Sequence, residues 1–321
     1  MKLKPHETWS IIDSSKLTEY MRCPRRYFWR YLLAWRPSGK SQDLVFGSAW
    51  HAALEHLLKV KRQTGHYPED VTEAYEHFLS VYREEFDEST DMDYHPKSPG
   101  NALSALQQYV SLYKGDAFEV VHTEAGGAVP LTVDMRHVLH FKMDDIVRGP
   151  DGLYYLQDHK TTKRMDRRWH MQWALSTQMS AYLFALHILY PGQPTYVAEV
   201  NGVQFLKTRL EFCRVPVRKT EEDIRCWLDE TAAWMDRLDY DMERLQDANP
   251  DSPSMGCFER NTCACGDFYG CPYHDLCCNW ANPLKELGRG IQPGYVVERW
   301  DPRKEAEKAE FQVNTKESGD A

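Results

Sequence analysis

The stretch HFKMDDIVRGPDGLYYLQDHKTTKR, residues 140–164, constrains the chain more than any other. It reads as two apolar strands joined by a turn at Asp151-Gly152, a dipeptide suited to tight hairpins. Asp144 falls inside the first strand and Asp158 at the end of the second, so a hairpin brings the two carboxylates side by side. Paired carboxylates on adjacent strands suit a hard divalent cation such as Mg²⁺ or Mn²⁺, which takes oxygen ligands. Lys160 lies two residues after Asp158, on the same face of the strand. An ammonium there can orient an attacking water or offset charge on a phosphorane. The plain alternative is a surface turn carrying a Lys–Asp pair. Asp145 sits beside Asp144, and register decides which of the two faces the cation.

The flanking sequence predicts an α/β core. Residues 15–35 read as two short helices broken at Cys23-Pro24, and a helix after Gly47 carries Trp50, Leu54, Leu57 and Leu58 on one side. Residues 65–118 read as a polar helical insertion interrupted around residues 89–101. Beyond Phe118 come short apolar segments at 120–121, 129–133, 138–147 and 153–156, with Gly126-Gly127 as a further hairpin turn. A long helix over 171–190, strands over 195–206 and 208–215, and a helix from Thr220 follow. The expected organisation is a single domain over 1–300, with a charged, frayed tail over 301–321.

Nine cysteines, six of them between Cys257 and Cys278, follow a start (MKLKPHETWS) that lacks the apolar core of an export signal. An odd, clustered set in such a chain reads as metal or cluster ligation rather than disulfides. Zinc favours tighter C-x2-4-C knuckles than the even spacing of Cys265, Cys271 and Cys277. Iron–sulfur clusters tolerate wider spacing, and both readings stay open at this point. Cys213, Cys226 and Cys257 read as bystanders.

Taken in order, these residues resemble the PD-(D/E)XK nuclease superfamily, and within it the RecB-like branch. That branch has a histidine on an early helix, an Asp in a G-x-I-D-like strand, a (D/E)-x-K strand end and a Q-x-x-x-Y helix. The counterparts are His51 in FGSAWHAALEHLL, Asp144 in FKMDDIV, Asp158-His159-Lys160, and Gln178 with Tyr182 in QMSAY. Phe141 stands where the family often has Gly, and the family spacing favours Asp144 over Asp145. The resemblance implies a restriction-endonuclease-like core, a mixed central sheet flanked by helices. It implies that His51, Asp144, Asp158 and the backbone carbonyl of His159 hold Mg²⁺ or Mn²⁺. Lys160 would position the attacking water, and Gln178 and Tyr182 would order the site and touch DNA. Glu55, one turn after His51, stays outside this set.

The cysteines resemble a subset of that branch, including AddB-type and CRISPR-adaptation nucleases. One Cys there lies in an S-x-L-x-x-Y-x-x-C-P segment before the core. Three follow it, ending in C-P-Y-x-x-x-C, and together they hold a [4Fe–4S] cluster. Here Cys23, Cys271 and Cys277 match. Phe268 occupies the usual position of the remaining ligand, so Cys265 is expected in its place, with Cys263 second. The cluster would staple the N-terminal helices to residues 257–280.

The net charge of −9 argues against coating nucleic acid by bulk electrostatics. Positive charge is nevertheless local. Arg25, Arg26 and Arg30 lie among aromatics, and Lys163, Arg164, Arg167 and Arg168 follow the lysine at the strand end. Phosphate contacts interleaved with aromatic platforms suit single strands or frayed ends. No G-x-x-x-x-G-K-[ST] loop is present, so unwinding would fall to a helicase or recombination partner. With a mean hydropathy of −0.63, the expectation is a cytoplasmic, non-membrane DNA exonuclease of bacterial or phage-infected cells, acting in repair or recombination. The alternatives are a trimming nuclease of CRISPR adaptation, a retired nuclease fold that binds DNA ends, and a zinc-stabilised interaction module.

Overall fold

The computed structural model describes residues 3–132, 136–193, 195–267 and 270–313. Val133, Phe268 and residues 314–321 of the expected tail lie outside the described residues. The chain groups into two compact units, each discontinuous in sequence. No described helix is long and apolar enough to cross a membrane.

The first unit comprises Met1–Gly39, Ala128–His140 and Arg225–Lys304. Strand β1 (Ile12–Asp13) leads into α1 (Ser14–Arg22), whose N-terminus is capped by the Asp13 carboxylate accepting from Lys16 N. The helix ends where the sequence predicts. Cys23 is extended, at φ −162° and ψ 107°, because the residue before a proline is pushed out of the helical region. Pro24 then starts α2 (Pro24–Tyr27), which continues as one π-helical turn to Leu32, followed by β2 (Trp35–Pro37). The core is aromatic. Phe258 stacks on Tyr27, and Trp29 packs against Trp35 and Trp280. Tyr20 donates to Asp241 at 2.8 Å.

The second unit comprises Lys40–Gly127, Phe141–Ile224 and Glu305–Ala321. Its helices are α3 (Gln42–Thr64), α4 (Thr72–Tyr82) and α5 (Pro99–Tyr113). The strands that follow are β3 (Glu119–Pro130), β4 (Val138–Arg148) and β5 (Tyr154–Thr162). Next come α6 (Arg167–Met171), α7 (Thr177–Leu189), β6 (Val197–Phe205) and β7 (Leu210–Arg218). Helix α8 spans Glu221–Asp247 and begins with Thr220 and Asp223 capping each other. Later in the chain come α9 (His274–Asn279), α10 (Pro283–Glu286), β8 (Tyr295–Val297), α11 (Pro302–Glu307) and β9 (Phe311–Val313). In the first unit, β8 pairs antiparallel with β2.

The sheet runs β7-β6-β5-β4-β3-β9, with β1 joined to the first residues of β4. It is mixed: β5 and β6 are parallel, while β4–β5 and β6–β7 are antiparallel. The β4–β5 hairpin turns at Asp151-Gly152 as expected, with Gly152 at φ +79°. Helices α3 and α7 both pack on β5, so this is the mixed central sheet flanked by helices that the sequence implied.

Four expectations need correction. The segment 65–118 is not merely polar: Ala74, Phe78 and Tyr82 of α4, and Ala102, Leu106 and Tyr109 of α5, enter the same core as Phe46, Trp50 and Phe205. Their i, i+4 spacing makes a narrow apolar stripe that the charged remainder disguises. Gly126-Gly127 is not a turn but lies inside β3, where β9 pairs in parallel. A Cβ on Gly126 would come within 2.7 Å of Ala306 O and Ala309 Cβ, so this glycine serves close approach. The helix expected over 171–190 begins only at Thr177, because the Ser176 side chain caps its start by accepting from Met179 N, and residues 167–171 form a separate short helix. Finally, residues 302–313 are no frayed tail: they form α11 and β9.

Gly202 on β6 pairs with Lys160 on β5, and a Cβ there would lie 2.4 Å from the Trp169 ring. Gly202→Ala is therefore expected to destabilise the chain by about 1–3 kcal/mol, the cost of overpacking. Denaturant unfolding measures it, and a midpoint equal to wild type would show that the close contact is not real.

Candidate active site

A cavity of about 700 Å³ opens in the second unit, lined by α3 on one side and by β3, β4 and β5 on the other. Helix α3 presents His51, whose Nδ1 lies 3.1 Å from Asp144 Oδ1. The other oxygen of Asp144 accepts from the His159 backbone N–H at 2.8 Å. The hairpin register sets this up: Asp145 pairs with Gln157, which brings the preceding Asp144 beside the start of the Asp158-His159-Lys160 run. Lys160 Nζ lies 2.6 Å from Asp158 Oδ2. Strand alternation turns Asp145 away from the cavity, onto His159 Nε2 at 2.6 Å. That pair is almost wholly buried.

The electrostatics follow from burial and from the company each group keeps. Burial opposes ionisation of Asp144, but His51 and Lys160 outweigh it and hold the carboxyl below its usual range. Burial would lower His51, and Asp144 overrides it to raise the imidazole to about 8. Burial pushes Asp158 up against the pull of Lys160. Burial pushes Asp145 well up and His159 down to about 4, each toward its neutral form. Lys160 stays charged because Asp158 and Asp144 overcome its burial.

One residue that sequence reading missed belongs to this cavity. Glu124 on β3 offers a carboxylate oxygen within 4.8 Å of donor atoms of both His51 and Asp144, a trio that could hold a metal ion. Burial, then the Asp144 charge, raises Glu124 to about 7, against the pull of Lys142. Its sequence signal is slight, one of two glutamates in a mostly apolar strand. Glu55 lines the same cavity and pairs with Lys59 at 2.6 Å. Gln178 donates to Tyr182 Oη at 3.1 Å on α7, and neither side chain lines the cavity.

The two basic groups fare differently. Lys163, Arg164, Arg167 and Arg168 are exposed just beyond β5. Lys163 lies 3.2 Å from Asp43, itself a lining residue of the cavity, and Arg164 lies 2.6 Å from Asp166. Arg30 is exposed, but Arg25 and Arg26 are not, which corrects their expected place on a phosphate-binding surface. Arg25 donates Nε–H to Phe258 O at 2.9 Å, and Arg26 pairs with Glu19 at 3.0 Å. They sit together in α2, immediately before the buried Tyr27, Phe28 and Trp29.

Arg26 borders a second pocket, in the first unit, lined by Cys23, Cys265, Cys271 and Cys277 together with Arg260 and His274. All four cysteines are free thiols. Asn261 N–H donates to Cys23 Sγ at 3.3 Å, and Cys271 N–H to Cys265 O at 2.8 Å, linking the second of these cysteines to the third. Cys263 and Cys278 are exposed and do not line the pocket. Burial raises Cys271 and Cys277. Arg25 is 3% exposed, and its Nη1 has no hydrogen-bond partner.

Without metal, His51 and Asp144 stabilise the chain most where both are charged. His51 titrates at about 8 against 6.5 in the unfolded chain. Its contribution, on the order of 1–2 kcal/mol, is therefore full below pH 6.5 and lost as the pH rises through about 8. Denaturation of metal-free protein is expected to show that loss, and His51→Gln to remove it. The same pH slope in both proteins would overturn the pairing.

Among curated proteins none matches this chain. Its fold has likenesses among solved structures. A proposed exonuclease of Eubacterium rectale shares 13% identity at a TM-score of 0.47, covering 77% of this chain and 87% of that one. The protein SSO0001 shares 18% identity at a TM-score of 0.25, covering 56% of this chain and 85% of the other. At those scores the assignment rests on the sequence profile alone, which spans residues 14–278 and so takes in His51, Asp144, Asp158, Lys160 and the four pocket cysteines. The chain belongs to the PD-(D/E)XK nuclease superfamily.

Proposed function

We propose that the chain is a metal-dependent DNA exonuclease acting on single-stranded or frayed ends. The observation that carries this reading is the cavity in which Lys160, paired with Asp158 at 2.6 Å, stands beside the His51–Asp144 pair. A retired scaffold has no use for a charged lysine held there. His51, Asp144, Asp158 and the His159 carbonyl fit Mg²⁺ or Mn²⁺, because the donors are mostly hard oxygens. Such a cation would acidify water and draw charge from the phosphoryl oxygens.

The chain's own residues do the rest. Lys160 keeps its proton, so it acts as an orienting cation for the attacking water and for charge developing on the phosphate. The His159 amide and His51 fix both oxygens of Asp144 before substrate arrives. Arg167 and Arg168 are free to meet the DNA backbone, while Lys163 and Arg164 would exchange Asp43 and Asp166 for phosphates. Gln178 and Tyr182 act at one remove, by ordering α7.

The four-cysteine pocket fits an iron–sulfur cluster. A buried guanidinium with an unpartnered Nη1 is costly beside neutral thiols, and thiolates on a cluster would supply the missing negative charge. Tetrahedral zinc, at about 2.3 Å from each sulfur, would need thiols about 3.8 Å apart. Among the described residues no three thiols come within 4.8 Å of one another, which favours the larger group. In that role the cysteines tie α1 to residues 257–278 within the first unit.

End-labelled single- and double-stranded DNA with Mn²⁺ or Mg²⁺ tests the nuclease. Lys160→Ala and Asp158→Ala are each expected to slow cleavage by roughly 10²-fold or more. Equal persistence of the DNA with wild type and both variants defeats the reading. Separately, protein purified without oxygen should be brown and lose iron in Cys271→Ser, whereas a colourless zinc protein would rule the cluster out.

A further inference from the structure

Glu124 lines the cavity but has no role in the function proposed above, and its surroundings are unusual. It lies on β3, beside the strand that carries Asp144, and is 8% exposed. Its backbone sits at φ +50°, the left-handed region that a glutamate rarely enters, which turns the side chain toward the cavity instead of leaving it on the regular pleat. Its Oε2 is buried and in direct contact with the Lys142 ammonium. A ring nitrogen of His51 lies within 4.8 Å of its carboxylate. Lys142 and Asp144 are two apart on β4, so both face the cavity. Lys142 retains about a third of its side-chain exposure and has room to swing outward.

Building on the proposed metal site, we propose that Glu124 is a further ligand of the divalent cation, and that Lys142 holds the cation's place in the metal-free chain. The chemistry is one of exchange. The carboxylates of Glu124 and Asp144, which line the cavity, and of Asp158, buried against Lys160, cannot be gathered there uncompensated. Lys160 answers Asp158 and Lys142 answers Glu124 until a hard cation with greater charge arrives. Glu124 then passes from an ion pair to a coordination bond, and the Lys142 ammonium is released toward the cavity mouth, where a DNA phosphate would meet it. The positive cost of the left-handed backbone at Glu124 is the structural mark of a side chain aimed for a purpose other than the strand's own packing.

Mn²⁺ titration of the full chain, followed by electron paramagnetic resonance at fixed pH and ionic strength, separates this from a structural salt bridge. Glu124→Gln is expected to weaken Mn²⁺ binding roughly tenfold or more. Lys142→Met, which removes the competitor, is expected to tighten it by up to about fivefold, the worth of a partly exposed ion pair. In the Glu124→Gln background, Lys142→Met should change nothing. If Glu124 serves only Lys142, then Glu124→Gln binds Mn²⁺ as wild type does, or Lys142→Met fails to tighten binding, and the proposal is overturned. Should Glu124→Gln fail to fold, as judged by denaturation in chelator, the Lys142→Met arm decides alone. Asp144→Asn is the control on the underlying site. If it too binds Mn²⁺ like wild type, the proposed metal site itself fails, a result distinct from loss of the Glu124 role alone.

Discussion

Everything in the candidate site depends on how Asp144 is held. One of its oxygens meets a helix side chain, His51, and the other meets a backbone amide on the neighbouring strand. Three elements of the second unit must therefore be in register before this carboxylate has both partners. A slip of one residue in the β4–β5 hairpin would exchange Asp144 for Asp145 and put the wrong acid in the cavity. The Asp145–His159 contact on the opposite face guards against that slip, since moving it would expose a buried pair to apolar neighbours.

Burial gives neighbouring acids different tasks. Asp144 and Asp145 are adjacent in sequence and alike in chemistry. One is kept ionised by His51 and Lys160, and the other is pushed toward its neutral form by burial. The strand's two-residue period is all that separates a candidate ligand from a structural hydrogen-bonding group. The same division applies among the arginines, where Arg25 and Arg26 are buried, Arg26 beside the thiol pocket, while Arg167 and Arg168 remain at the surface.

The hairpin, the break at Cys23-Pro24 and the His51 helix were legible because local chemistry determines them: a turn dipeptide, a proline, and an apolar stripe. The bringing together of His51, Asp144 and Lys160 was foreseeable only through family resemblance, since no periodicity connects residues on a helix to a hairpin so far along the chain. Glu124 was not legible. Its left-handed backbone leaves no mark in the sequence, and an acid in a mostly apolar strand looks like a solvent-facing residue. Gly126-Gly127 misled for the opposite reason, because glycine marks both turns and close approaches, and only the neighbour tells them apart. The inward turn of Arg25 and Arg26 was hidden in the same way, since charge alone suggests a surface.

Strand β9 carries a further consequence. It pairs with β3 at Ala125–Gly127, against a glycine that lets the chain come close. An unpaired stretch there would offer its amides and carbonyls to any passing strand, the usual route to edge-to-edge association. The cover comes from residues far along the chain, so this contact is strongly non-local and β3 must wait for it during folding. The same segment that looks in sequence like a loose, charged end is thus what keeps the sheet from growing past itself, and it does so one residue from Glu124.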